Sequence, residues 1–478
     1  MVKISDYDCI GFDLDHTVIQ YKLSNLYTLT YKFLTTFLVK EKGYDASLLD
    51  SSLEDYKDFI LRGLILDADK GNLIKLDKHG CILRASHGTT PMSDKEIQDC
   101  YGEKRKFLLF EELKSSMIKR HRHISRFRIF ETFFDLPAAL VAAKLIDVID
   151  DKGGRPEKYT FWPDIMEAFI LNFSPSSFTA KKGDYFSTIT KDPSHYIKPC
   201  SKELIKWIKS LSNKKCKVFL LTNSYIDYAN FLLEHAVGKE WRDLFDIVIC
   251  KASKPGFFVP FDSGKTTPFY EIEDMKEVQE THELQLKKTY SQGNLETLMK
   301  HLKKWTGKDE PKILYFGDSA KSDIYPTKTI AKWDVAAVLE EMETEGMVTT
   351  SHDQLEDDGS PKRKRPKLLE LDVEEGKEEV LLSDQWGSLF TDNALLGQPC
   401  SNGTASIAKH TDEPIKTEGH FYHEMDTFWG DMIRQCSTIA IPTADFITGL
   451  AKDHKFSTFT ESFYGGFYPG VPKSLLID

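Results

Sequence analysis

The sequence predicts an α/β fold organised as a doubly wound parallel sheet. The apolar runs Cys9–Phe12, Lys217–Leu221, Phe245–Cys250, Lys312–Phe316 and Asp334–Leu339 read as short strands buried on both faces. From residue 202 onward, helical patterns alternate with these runs, as crossovers between parallel strands require. The first four runs each lead into a polar cluster: Asp13/Asp15, Thr222/Ser224, Lys254 and Asp318/Asp323. Open sheets of this kind bind ligands beyond the carboxyl ends of their strands, so the four clusters are the candidate site.

Composition sets the frame. A chain of 478 residues has room for about three domains on length alone, and 41% hydrophobic with 12% aromatic residues suits a globular core. A net charge of −11 argues against a general nucleic-acid binder. The eight cysteines are scattered without a C-x-x-C pair, a usage that suits a reducing compartment and no disulfide framework. The N-terminal residues lack an apolar signal region, and no run of about 18 apolar residues occurs. The expectation is a soluble cytoplasmic protein with no membrane contact.

In chain order, the first strand breaks into Asp13-Leu14-Asp15-His16-Thr17. Alternate residues of an extended chain face one way, so Asp13 and Asp15 can share a site, and two carboxylates that close stay ionised beside a cation. Helical periodicity follows over 26–39 and again over 49–64. Short apolar runs divided by glycines at 71 and 80 predict a small β-meander. Asp67, Asp69 and Asn72 do not make a calcium loop, because the glycine falls one position early and Lys78 stands where the closing Glu belongs. Helical stretches are expected at 136–149 and 162–173. The cluster Lys119–His123 with Arg126 and Arg128 reads as a solvated helix face, with binding of a phosphorylated ligand or acidic partner as the alternative. Helices at 204–211, 225–235 and 298–305 separate the later strands, with Asn223 or Ser224 as cap of the second and a polar loop at 263–292.

Residues 346–385 form a charged linker containing the basic block Lys362–Lys367, which resembles a nuclear import signal as much as a solvated run. The division expected is therefore a catalytic core of 1–25 plus 200–345, an insertion of 26–199, the linker, and a C-terminal region of 386–478 packing on the core.

Phosphoryl transfer uses each residue type in the four clusters. A carboxylate can attack phosphorus, and a second can protonate the leaving oxygen and then activate water. A lysine and a divalent cation neutralise charge, and a hydroxyl with backbone N–H groups holds the phosphate.

The ordered set Asp13-Leu-Asp-His-Thr17, Leu221-Thr222-Asn-Ser224, Lys254-Pro255 and Gly317-Asp318-Ser319 … Ser322-Asp323 resembles the four motifs of the haloacid dehalogenase (HAD) superfamily. Within it, Gly11–Thr17, the 71–77 meander, Thr132–Pro137 and Lys254–Phe258 are similar to the cytosolic purine 5'-nucleotidase family, and stretches 37–45 and 85–89 narrow the likeness to one branch. The resemblance covers most of 8–340. It implies a HAD-like, Rossmann-like core with a large cap inserted between motifs one and two, the cap holding the β-meander and helices. It implies Asp13 as nucleophile and Asp15 as general acid/base. Thr222, Asn223 and Lys254 would bind the substrate phosphate. Mg2+ would be held by Asp13, the Asp15 carbonyl, Asp318 and Asp323. Phe134 is either a contact to the substrate base or a core aromatic. The implied substrate is a small phosphorylated molecule, a nucleoside 5'-monophosphate. A homo-oligomer is one option for assembly. Residues 173–201 lack the His- and Lys-bearing pattern associated with nucleotide reading in the family, which leaves the base open. The competing expectation is a weakly active or inactive regulatory protein on the same scaffold.

Overall fold

The computed structural model describes residues 1–50, 52–118, 126–212, 216–260, 264–348, 383–392, 415–417, 420–451 and 453–477. The basic cluster at 119–123 and the block at 362–367 lie outside them, as does the expected linker apart from 346–348 and 383–385.

Strand β1 (Cys9–Phe12) opens the chain, and helix α1 (Leu23–Lys42) follows. The helix predicted over 49–64 is instead two short 3-10 turns, Ala46–Leu49 and Glu54–Phe59. Tyr56 breaks the second with non-helical backbone angles. The expected meander is present as β2 (Leu64–Asp67), β3 (Asn72–Leu76) and β4 (Ile82–His87). β5 (Thr90–Pro91) and β6 (Phe127–Phe130) extend it to an antiparallel sheet ordered β5-β4-β3-β2-β6. Helices α2 (Asp94–Tyr101) and α3 (Phe110–Ser116) lie between β5 and β6. Four more follow: α4 (Pro137–Gly153), α5 (Trp162–Phe173), α6 (Pro175–Ala180) and α7 (Asp184–Lys191).

The remainder alternates as predicted: α8 (Lys202–Ser212), β7 (Lys217–Leu221), α9 (Ile226–Ala236) and β8 (Ile247–Cys250). The polar loop expected at 263–292 holds three strands, β9 (Phe269–Glu273), β10 (Lys276–Thr281) and β11 (Lys288–Gln292). Their solvent-facing residues are polar enough to mask the alternation, and in β10 five of six are exposed. Then come α10 (Leu295–Thr306), β12 (Ile313–Gly317), β13 (Asp334–Val338), α11 (Glu341–Glu345) and α12 (Phe428–Cys436).

Among the described residues, the central sheet runs β10-β9-β11-β8-β7-β1-β12-β13 and ends on the strand Ile439–Ile441. All neighbours from β11 to Ile439–Ile441 pair in parallel, and only β9 near the edge runs against the rest, antiparallel to both β10 and β11. This is a mixed α/β, Rossmann-like architecture with a largely parallel sheet, and β1 stands midway along the parallel run from β11 to Ile439–Ile441. Gly11 makes the centre possible: a Cβ there would meet the Phe219 ring at 2.3 Å and the Tyr315 ring at 2.7 Å. The C-terminal residues are part of the molecule's body, supplying the last sheet strand and a buried ion pair between Asp392 and Lys75 of β3 (2.7 Å). The described cysteines are free, and no described helix is long and apolar enough to cross a membrane.

Candidate active site

The strand ends around β1 bring three carboxylates together. The Asp13 N–H continues the ladder by donating to the Phe316 carbonyl (2.8 Å), which holds Asp13 in line with β1. At the end of β12, Gly317 admits Asp323 to close range, since a Cβ on the glycine would meet the Asp323 Cβ at 2.4 Å. Asp323 sits on a π-helical turn, Ala320–Ile324, which Ser319 caps by accepting from the Ser322 N–H (3.0 Å). Asp13, Asp318 and Asp323 each offer a buried oxygen, all within 4.8 Å of one another.

Lys254 lies against this group. Its ammonium donates to Asp13 Oδ1 (2.7 Å), Asp323 Oδ1 (2.5 Å) and the Tyr315 hydroxyl (2.9 Å). Burial works against the charged lysine, but the two carboxylates outweigh it and hold its pKa above the ordinary value. Burial, then the charge of Asp323, pushes the carboxyl of Asp13 upward against the pull of Lys254. Asp318 is raised by burial and by Asp323 and Asp13. Three buried carboxylates cluster here, and Lys254 reaches only two of them, Asp13 and Asp323. Oxygen ligands in that number and spacing suit a hard divalent cation.

Asp15 is in the same cavity but differently engaged. The Tyr21 hydroxyl donates to its Oδ1 (2.6 Å) and the Ser224 hydroxyl to its Oδ2 (2.7 Å). His16, with a φ of 56°, turns the chain away after it. Burial keeps the imidazole uncharged, with its pKa down to about 3. The two aspartates that the spacing lets share a site do line one cavity, with different partners: Asp13 joins the acidic group and Asp15 accepts from hydroxyls.

The second cluster also differs from expectation. Neither Asn223 nor Ser224 caps α9, whose flanking residue is Tyr225. The Asn223 side chain instead braces Lys254, accepting from its N–H (2.6 Å) and donating to its carbonyl (3.2 Å). The buried Thr222 hydroxyl accepts from the Ser224 N–H (3.0 Å), so its own proton is left to donate.

These groups open onto a cavity of about 360 Å3 lined by all eight predicted site residues, Asp13, Asp15, Phe134, Thr222, Asn223, Lys254, Asp318 and Asp323. Phe134 is half-buried there, edge-on to His16 (5.1 Å), Tyr21 (5.5 Å) and Phe173 (6.0 Å). The far wall is aromatic: Phe173, Phe178, Tyr185 and Phe186 from the region between β1 and β7, facing Tyr228 of α9. The Tyr21, Tyr228 and Tyr185 hydroxyls stand in a row, 3.4 and 3.3 Å apart, from Asp15 to that wall. Sequence reasoning missed Tyr21, Tyr185, Tyr228 and Tyr315, because a tyrosine among apolar residues carries no signal of which hydroxyl or carboxylate its own hydroxyl meets.

Comparison with known proteins places the chain in a family. The profile of the 5' nucleotidase family matches residues 1–438. The chain is 36% identical over 479 residues to 5'-nucleotidase domain-containing protein 1 of Homo sapiens, covering 98% of this chain and 96% of that protein. Identity to the Bos taurus protein of the same name is 35% over 470 residues, covering 97% and 95%. The 5'-nucleotidase domain-containing protein 2 of Rattus norvegicus is 26% identical over 348 residues, 72% of this chain and 59% of that protein. This chain belongs to the 5' nucleotidase family, and so to the phosphoric monoester hydrolases.

Proposed function

We propose that the chain is a metal-dependent phosphomonoesterase of the HAD type that hydrolyses nucleoside 5'-monophosphates through an aspartyl phosphate. One observation carries the proposal: Asp13, buried at the end of the central strand, is flanked by Lys254 and two further carboxylates and opens onto an aromatic-walled cavity. In this reading β7 to β13 with β1 form the catalytic core, and the 26–199 insertion is the cap.

The acidic group suits Mg2+, which Asp13, Asp318 and Asp323 would hold with the Asp15 carbonyl and which would neutralise phosphoryl charge. Lys254 adds a fixed positive charge, and the Thr222 hydroxyl donates to a phosphoryl oxygen. An Asp13 oxygen attacks phosphorus as the bond to the nucleoside oxygen breaks. Asp15 gives its proton to that leaving oxygen. Asp15 then takes a proton from water, whose oxygen attacks phosphorus and frees Asp13 and phosphate. The aromatic wall stacks on the base, with Phe134 one of its members. Recognition by stacking is consistent with the missing His- and Lys-bearing pattern in 173–201.

Phosphate release from a panel of purine and pyrimidine monophosphates with Mg2+ tests the proposal. Turnover abolished by EDTA and by Asp13→Asn is expected. Absence of turnover across the panel would overturn it and favour a regulatory role on the same scaffold.

A further inference from the structure

Arg62 lies between α1 and β2, far in sequence from the acidic group, yet it is buried against it. Its Nη1 donates to the Asp318 carbonyl (3.0 Å) and lies 4.0 Å from Asp318 Oδ2. Nη2 donates to Glu341 Oε2 (2.7 Å), and Nε lies 2.6 Å from Glu341 Oε1. The guanidinium rests over the Phe133 ring at 4.7 Å, which leaves it little freedom to tilt. Glu341 opens α11, just beyond β13. One planar side chain therefore ties the strand end carrying Asp318 to the start of α11 and to the segment next to Phe134 in the cavity wall.

We infer that Arg62 is a positioning residue for the metal, holding Asp318 against the repulsion of Asp13 and Asp323. Lys254 pairs with Asp13 and Asp323, and Arg62 supplies the cation on the Asp318 side. Its hydrogen bond to the Asp318 carbonyl fixes the backbone from which the carboxylate projects. Lysine keeps the charge but not the fork that reaches Asp318 and Glu341 together. The inference rests on the metal-dependent reading above. It adds that the residues between β1 and β7 set metal affinity as well as enclosing the substrate.

The test is Mn2+ binding to metal-stripped full-length protein, followed by electron paramagnetic resonance, beside Mg2+-dependent phosphate release. Partners that orient metal ligands contribute about tenfold or more in affinity, and that loss is expected for Arg62→Lys, with kcat recovered at saturating metal. Glu341→Gln, which releases the other end of the fork, should weaken binding in the same direction and decides the matter if Arg62→Lys does not fold. Wild-type affinity in a folded Arg62→Lys that merely melts earlier in EDTA overturns the inference alone. A wild-type chain that binds no Mn2+ overturns the metal-dependent reading and this inference with it.

Discussion

The Lys254 ammonium lies 2.7 Å from Asp13 Oδ1, with its side chain only 1% exposed. Removing one partner from such a buried pair leaves the other uncompensated and costs about 3–5 kcal/mol. Lys254→Met should therefore melt well below wild type in EDTA. Mg2+ should restore part of the loss, because it supplies charge to the same carboxylates. Thermal melts with and without Mg2+ check this, and a variant as stable as wild type in EDTA would contradict it.

Tyr21, itself fully buried, donates to the half-buried Asp15 at 2.6 Å. A hydrogen bond to a charged group contributes about 1.5–3 kcal/mol, so Tyr21→Phe should lower kcat about tenfold or more where proton donation matters. Nucleoside monophosphates, whose alkoxide leaves poorly, should suffer more than p-nitrophenyl phosphate, whose phenolate needs little help. Equal losses on the two substrates would remove the link between Tyr21 and Asp15 in catalysis.

Gly317→Ala places a methyl group 2.4 Å from the Asp323 Cβ. Overpacking of this kind costs about 1–3 kcal/mol, and here the atom displaced belongs to the acidic group. Stability should fall and the Mg2+ requirement rise together. Calorimetric Mg2+ titration reads the second effect, and unchanged metal affinity would place Asp323 outside the metal site.

Asp392 pairs with Lys75 (2.7 Å) and Arg84 (2.9 Å) with its side chain fully buried. Burial works to raise its pKa, but the two cations outweigh it and hold the carboxyl below the ordinary carboxylate range. A depressed folded-state pKa contributes stability that is present above the unfolded value and lost as pH falls through the folded one. Asp392→Asn should thus cost about 3–5 kcal/mol near neutral pH. The gap to wild type should close only as acid protonates Asp392, below the ordinary carboxylate range. Urea unfolding at pH 7 and at acid pH checks both parts.

Much of the fold was legible because its signals are local. Helix α5 and strand β7 fall where periodicity and apolar runs put them, and the polar residues after β1, β7, β8 and β12 line one cavity. Two segments misled for local reasons. The apolar residues of 49–64 carry a helical spacing, but they pack through 3-10 turns broken at Tyr56. Strands β9 to β11 are too polar on their open face to show alternation.

The sequence by itself determined the parallel sheet, its polar strand ends and the residue types of the site, since burial pattern and spacing follow from neighbours along the chain. Only the tertiary structure gave Asp15 its hydroxyl partners, set Asn223 to bracing Lys254, and brought Tyr21 and Arg62 to the carboxylates. Those contacts depend on the path of the chain between elements. Arg62 meets Asp318 across 256 residues, and no local period encodes such a meeting.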